Sequence, residues 1–72
     1  QQAQLLRASI SADEHLTYPA AGRKLYLHLI SGELKVGNHT VYPGDGVMVS
    51  DQTDLLLMAT ADSEALLFNL PL

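Results

Sequence analysis

The stretch HLISGELKVGNHTVYPGDG, residues 28–46, carries the pattern that decides the fold. Its centre is Gly37-Asn38, with short alternating apolar runs on either side. Glycine at the first central position of a two-residue hairpin loop is typical of a type II′ turn. The stretch therefore predicts a β-hairpin in which Val36 pairs with His39 across the turn.

Alternation of side chains along the two strands then assigns each residue of this hairpin to a face. The same register pairs Leu34 with Val41 and Glu33 with Tyr42. We expect the inward face to hold Leu34, Val36, His39 and Val41. We expect the solvent face to hold Glu33, Lys35, Thr40 and Tyr42.

Short runs with strand character continue along the rest of the chain and are separated by turn signals. The turn signals are 19–22, 37–38, PGDG at 43–46, SDQTD at 50–54 and ADS at 61–63. Strands at such spacing are typical of an all-β sandwich or barrel. With no linker or repeat, we predict a single domain over 1–72. The predicted strands are 5–11, 24–31, 33–36, 39–42, 47–50, 54–60 and 64–70.

Several strands are apolar on both of their faces. In LYLHLI, one face holds Leu25, Leu27 and Leu29, and the other holds Tyr26, His28 and Ile30. The runs LLLM and ALLF show the same property. Such strands are normally buried on both sides, yet a small sandwich has one interior. The pattern therefore predicts that another domain, another copy or the termini cover a second face.

The composition narrows the ways in which this chain can be stabilised. A chain of 72 residues is short for one hydrophobic core, and it contains no cysteine for a disulfide or a thiolate zinc site. Its residues are 47% hydrophobic and 17% charged. The remaining stabilising routes are a dense core, a metal or a partner subunit, and this composition favours a dense core and an adhesive surface.

Charge and hydropathy exclude other classes of partner. The net charge is −4 with four Lys and Arg residues, too few for a basic surface that binds nucleic acid. Apolar runs are shorter than the roughly 18–20 residues of a membrane span. The start, QQAQLLRASIS, lacks the features of a signal peptide. We expect a cytoplasmic protein that binds neither nucleic acid nor membranes.

The segment YLHLISGELKVGNHTVYPGDG resembles the first conserved block of the cupin superfamily and the P-G-D turn that follows it. Together, GRKLYLHLISGELKV and ADSEALLFNLP resemble the C-terminal cupin domain of the pirin-like bicupins more specifically. That family includes bacterial quercetin 2,3-dioxygenases. The resemblance extends from Leu5 to Pro71 and implies a small cupin-like antiparallel β-sandwich or jelly-roll barrel. One departure is Gly37-Asn38, where Asn-Gly is expected.

The resemblance also implies what the chain lacks. In such bicupins the metal and the oxygenase chemistry belong to the N-terminal cupin, and the C-terminal cupin packs against it. The glutamate of a cupin metal site would align with Leu25, and its histidine pair would fall within 19–23, which reads PAAGR. The last histidine would follow the PGDG turn, but His39 is the final histidine of the chain. We therefore expect no metal cofactor.

The histidines that are present do not form an alternative metal site. An extended chain separates His28 from the Val36–His39 pair by about 25 Å at ~3.3 Å per residue. We interpret His28 as a core or interface residue and His39 as a rim residue. The remaining polar candidates are interpreted as turn or surface residues: Asp13, Glu14, Ser31, Glu33, Asp45, Ser50 and Ser63.

Three functional hypotheses follow, and none assigns a catalytic residue. The first is a non-catalytic assembly module that forms a homodimer or docks onto another cupin or protein domain. The second is binding of a small apolar ligand in the mouth of the barrel. The third is a metal-dependent dioxygenase activity of the quercetinase type. The mouth residues of the second hypothesis are Tyr26, His28, Tyr42, Met48, Met58 and Phe68.

Overall fold

The computed structural model describes residues 3–50 and 54–71, and this part of the chain folds into antiparallel strands without a helix. In chain order the strands are β1 (Gln4–Ile10), β2 (His15–Pro19), β3 (Arg23–Ser31), β4 (Leu34–Val36), β5 (His39–Val41), β6 (Gly46–Ser50), β7 (Asp54–Ala59) and β8 (Ser63–Pro71).

The strands form two four-stranded sheets, sheet A with the order β1-β8-β3-β6 and sheet B with the order β2-β7-β4-β5. Pairing joins β1 to β8, β2 to β7, β3 to β6 and β4 to β5, so the chain rolls up like one long hairpin. This is the pairing of a double-sheet jelly roll. The predicted all-β antiparallel sandwich is confirmed.

The core lies between the two sheets and comes from alternate residues of each strand. Leu25, Leu27 and Leu29 of β3 point inward from sheet A, and Leu55 and Leu57 of β7 meet them from sheet B. Alternation in the sequence separated the two faces of β3, and the structure shows that the face with Leu25, Leu27 and Leu29 is the buried one. The other buried apolar residues are Ile10, Ala20, Leu34, Val36, Val41, Ala59, Ala65 and Leu67.

The central hairpin has the predicted register. Leu34 pairs with Val41 and Val36 with His39, and Gly37 has a φ of +60°. A positive φ at the first central residue, without one at Asn38, is the type II′ pattern. The ladder ends at the Leu34–Val41 pair, so the predicted Glu33–Tyr42 pair is not part of it.

His39 shares the inward face with Val36, as predicted, because the two residues are paired across the turn. It is nevertheless exposed, since β5 is the edge strand of sheet B and His39 lies next to the turn. Its interpretation as a rim residue fits this position.

The strand β2 is the element that sequence reasoning missed. His15, Thr17 and Pro19 are exposed, so little of its surface carries an apolar signal. Its Pro19 also argues against a strand, but proline is tolerated on an edge strand, and β2 is an edge of sheet B. Because β2 pairs with β7 along its length, the region before β3 is ordered sheet.

The PGDG turn has the structure that its aspartate predicts. In the PGDG turn, the Tyr42 amide donates to Asp45 Oδ2 at 3.2 Å, and the Asp45 amide donates to the Tyr42 carbonyl at 2.9 Å. The predicted role of Asp45 in fixing the turn is confirmed. The predicted turn at 50–54 lies mostly outside the described residues.

Gly32 marks the crossing from sheet A to sheet B. The register of β3 against β8 shifts between Leu29 and Ser31, and Gly32 follows with a φ of +91°. A Cβ at Gly32 would overlap the Asp62 carbonyl oxygen and the Ser63 hydroxyl. Only glycine fits where these two chain segments cross.

Candidate functional site

Two of the positions at which the resemblance would place ligands of a cupin metal are buried aliphatic residues. Leu25, which takes the place of the glutamate, is 0% exposed, and Ala20 within the PAAGR segment is equally buried. Aliphatic side chains cannot donate an electron pair to a metal. The residues at these positions therefore do not fit a cupin metal centre.

The histidines are far apart in the fold. His15 lies on β2 and His39 on β5, at opposite edges of sheet B, which is about 14 Å across three strand spacings. His28 lies on β3 in the other sheet. Within 3–50 and 54–71, no three His, Asp or Glu residues are grouped so that they could hold a metal ion.

The six residues predicted to line the barrel mouth do not lie together. Tyr26, His28, Met48 and Phe68 occupy the outer face of sheet A, since the residues that alternate with them point into the core. The register places Met58 on the outer face of sheet B, and Tyr42 is exposed directly after β5. The structure thus brings four of the six together, on the outer face of sheet A.

A continuous row of large apolar side chains crosses the outer face of sheet A, and we call it the outer row. It consists of Leu5, Phe68, Tyr26 and Met48, one from each strand, which are paired in register. The Tyr26 and Phe68 rings contact each other with centroids 6.0 Å apart and planes tilted by 49°. Met48 is 63% exposed at the end of the row.

The next row of the same face is mixed in character. Arg7, Leu66, His28 and Gly46 are in register, and Leu66 and His28 are half-buried. The Tyr26 hydroxyl lies over Gly46, where a Cβ would meet it. Because Gly46 has no side chain, the hydroxyl end of Tyr26 can extend over the edge strand β6.

Charged residues border these apolar rows. Arg7 Nη2 and Glu64 Oε2 form an ion pair at 2.7 Å at one end of the face, and Lys24 lies toward the other end, paired with Leu70 and Ser50. The face thus has an apolar centre and a charged border.

The outer face of sheet B is different. One row across it reads His15, Met58, Lys35 and Thr40, so polar side chains flank its single methionine. Thr17 pairs with Leu56 in the neighbouring row. Leu56 and Met58 of this face are exposed as well, but the apolar row that crosses all four strands of its sheet lies on sheet A.

A buried polar group between the sheets was not anticipated from the sequence. Asn69 is 7% exposed, faces inward opposite Leu25, and donates through Nδ2 to the Tyr18 hydroxyl at 2.8 Å. Arg23 Nε donates to Asn69 Oδ1. The sequence contains one indication of this group, because Asn69 interrupts the apolar residues at the inward positions of β8. Its hydrogen-bond partners could not be predicted, since they lie 46 and 51 residues away in the chain.

Residues 1–70 match the family described as the quercetinase C-terminal cupin domain. The chain belongs to this family. The match confirms the resemblance carried by the GRKLYLHLISGELKV and ADSEALLFNLP segments.

Known proteins agree with this assignment. The chain is 29% identical over 72 residues to the quercetin 2,3-dioxygenase of Escherichia coli K12, covering 99% of this chain and 31% of that protein. The crystal structure of the E. coli bacterial pirin YhhW in complex with nickel(II) superposes with a TM-score of 0.92 at 29% identity, over 99% of this chain and 31% of that one. The chain thus spans about a third of these relatives.

More distant structures share the fold alone. A predicted oxalate decarboxylase from Thermotoga maritima superposes with a TM-score of 0.77 at 15% identity, covering 94% of this chain and 65% of that chain. These neighbours establish the cupin fold of this quercetinase C-terminal cupin domain. Within the part of the chain that the structure describes, no helix is long and apolar enough to cross a membrane.

Proposed function

We propose that this cupin domain is a non-catalytic packing module that docks through the outer face of sheet A onto a second cupin-type sandwich. The observation that carries the proposal is the outer row, which crosses all four strands of sheet A on its solvent side. The partner in our proposal is another cupin domain or a second copy of this chain.

The energetics support docking through this face. Removing apolar surface from water contributes about 25 cal/mol per Å². Met48, Leu5 and Ile30 are exposed on or next to this face, while Tyr26 and Phe68 are only half-buried by their neighbours. Contiguous exposed apolar patches of this kind mark interaction sites in soluble proteins.

The shape and the border of the face support the same interpretation. Two sheets pack face to face at about 10 Å with interdigitated side chains, and the outer sheet of a second cupin-type sandwich would cover the outer row in this way. An apolar centre bordered by Arg7, Glu64 and Lys24 has the arrangement of a protein interface, with a charged rim around a dry core.

A dioxygenase activity is not part of the proposal. The positions that would supply the ligands of a cupin metal include the buried aliphatic residues Ala20 and Leu25. The relatives that carry the names quercetin 2,3-dioxygenase and nickel(II)-bound pirin are about three times the length of this chain. This domain supports the packing of such a protein in our proposal, without holding the metal.

Size-exclusion chromatography with light scattering over the micromolar range tests the proposal. We expect a mass above that of the monomer that falls on dilution, or co-elution with a separately purified metal-binding cupin domain of a relative. A chain that stays monomeric at every concentration and elutes apart from that domain contradicts the proposal.

A further inference from the structure

An apolar cavity of about 250 Å³ opens between β1 and β2. These strands follow each other in the chain but are the edges of different sheets, β1 of sheet A and β2 of sheet B. Because neither strand bonds to the other, the side of the sandwich is open here. The cavity therefore reaches the space between the sheets and not the outer face of sheet A.

The walls of this cavity are aliphatic. Leu27, Leu57, Ala65 and Leu67 form its floor and are buried core residues. At the opening, Leu6 pairs with Leu67 and Leu16 pairs with Leu57, which places the two leucines on the inward faces of their strands. Both are nevertheless exposed, because no strand closes the gap between them.

Ser9, Arg7 and Tyr18 are the polar residues that line the cavity, and Tyr18 also faces inward between the sheets. Tyr18 lines the cavity, and its oxygen accepts the hydrogen bond from Asn69 Nδ2. A phenol that accepts one hydrogen bond keeps its own hydrogen to donate. Arg7, which also borders the cavity, directs its guanidinium to Glu64 on the outer face.

We propose that this cavity binds a small aromatic molecule with one hydrogen-bond acceptor, such as a carbonyl, which takes the hydrogen of Tyr18. The size argues for a single ring, because an engineered aliphatic cavity of about 150 Å³ in another protein binds benzene. The present cavity has room for a ring and a short substituent. Asn69, which itself accepts a hydrogen bond from Arg23, holds the Tyr18 oxygen in place for the ligand.

Acetophenone and ethylbenzene are suitable probes because they have nearly the same shape and differ in the acceptor. Each would be titrated into the full chain and followed by two-dimensional amide NMR. We expect saturable shifts at Leu57, Ala65 and Leu67 with both. One neutral hydrogen bond makes acetophenone bind tighter by about two- to twelve-fold. Absence of saturable shifts with both probes overturns the proposal.

Two variants identify the site. Tyr18→Phe removes the donor, so acetophenone and ethylbenzene should then bind equally; an unchanged preference contradicts the role of Tyr18. Leu6→Trp fills the opening, and both probes should lose affinity at least ten-fold. Ala8→Leu fills the same space from the inward face of β1 and serves if Leu6→Trp does not fold. Unchanged binding in a folded cavity-filling variant overturns the proposal.

This inference is independent of docking through sheet A, and the two can fail separately. Met48→Lys alters the outer row and leaves the cavity untouched, so it should retain the binding of both probes. A segment of a partner chain seated between Leu6 and Leu16 is the competing occupant. It would exclude both probes from the associated protein, and such exclusion counts against the small-molecule proposal.

Discussion

At the scale of single residues, Gly32 and Gly44 show how the same backbone angle can carry different constraints. Their φ angles are +91° and +93°. A Cβ at Gly32 would overlap backbone and side-chain atoms of Asp62 and Ser63, whereas a Cβ at Gly44 meets no described atom within 4 Å. The two glycines thus separate the cost of a positive φ from the cost of a clash.

We predict that Gly44→Ala lowers the free energy of unfolding by about 1–2 kcal/mol, which is the cost of a left-handed backbone. Gly32→Ala should cost several kcal/mol, because the two crossing segments must also move apart. Urea unfolding of both variants measures the difference. Equal losses in the two variants would show that the crossing at Gly32 is not tight.

The buried Asn69 gives a second prediction at this scale. Tyr18→Phe leaves the buried Nδ2 group without its acceptor, at a cost of about 1–3 kcal/mol. Asn69→Leu removes the amide altogether, so the double variant should be less destabilised than the sum of the two single variants. Urea unfolding completes this cycle, and additivity within about 0.5 kcal/mol would disprove the coupling.

The role of Asn69 marks a limit of sequence reasoning. Gly37 and Asp45 act within a few residues of themselves, so the turn chemistry was predictable from local sequence. Asn69 acts through Tyr18 and Arg23, whose approach depends on the packing of the two sheets. No local pattern encodes that contact.

At the scale of elements, alternation predicted the inward face of β4 and the register of the hairpin, and it separated the two faces of β3 without saying which one is buried. It failed for β2, where Leu16 and Tyr18 are the only strongly apolar residues and both belong to an open edge. For His39 it gave the face correctly, but His39 is exposed because periodicity states a direction and not whether a neighbour covers the residue.

Adjacent leucines of β7 test this alternation directly. Leu57 is 1% exposed and Leu56 is 46% exposed, on opposite faces of the same strand. We predict that Leu57→Ala lowers the free energy of unfolding by about 2–5 kcal/mol. Leu56→Ala should cost less than about 1 kcal/mol, since its side chain already contacts water. Similar losses in urea unfolding would contradict the assigned faces.

At the scale of the whole molecule, the two sheets have unlike outer surfaces. Two-sided apolar strands predicted from sequence that a second face would be covered, and the outer row on sheet A is the surface that we propose for that role. The sequence did not distinguish this outer face from a barrel mouth. In both cases the residues concerned are those that alternate along a strand with the core residues. The order of the strands in the sheets decides whether such residues lie on an outer face or at a mouth, and that order depends on pairing between distant parts of the chain.

The methionines provide matched probes of this asymmetry. Met48 ends the outer row on sheet A and is 63% exposed; Met58 lies on the outer face of sheet B and is 40% exposed. Lysine at either position places a charge on an exposed strand surface. The two variants therefore differ mainly in the face that receives the charge.

Sedimentation equilibrium of the wild type, Met48→Lys and Met58→Lys over the micromolar range is the most direct test of docking through sheet A. We predict that the wild type self-associates, that Met58→Lys does so equally, and that Met48→Lys weakens association at least ten-fold. Equal weakening by both lysines would contradict docking through the outer row, and so would three monomeric proteins that also elute apart from a metal-binding cupin domain of a relative.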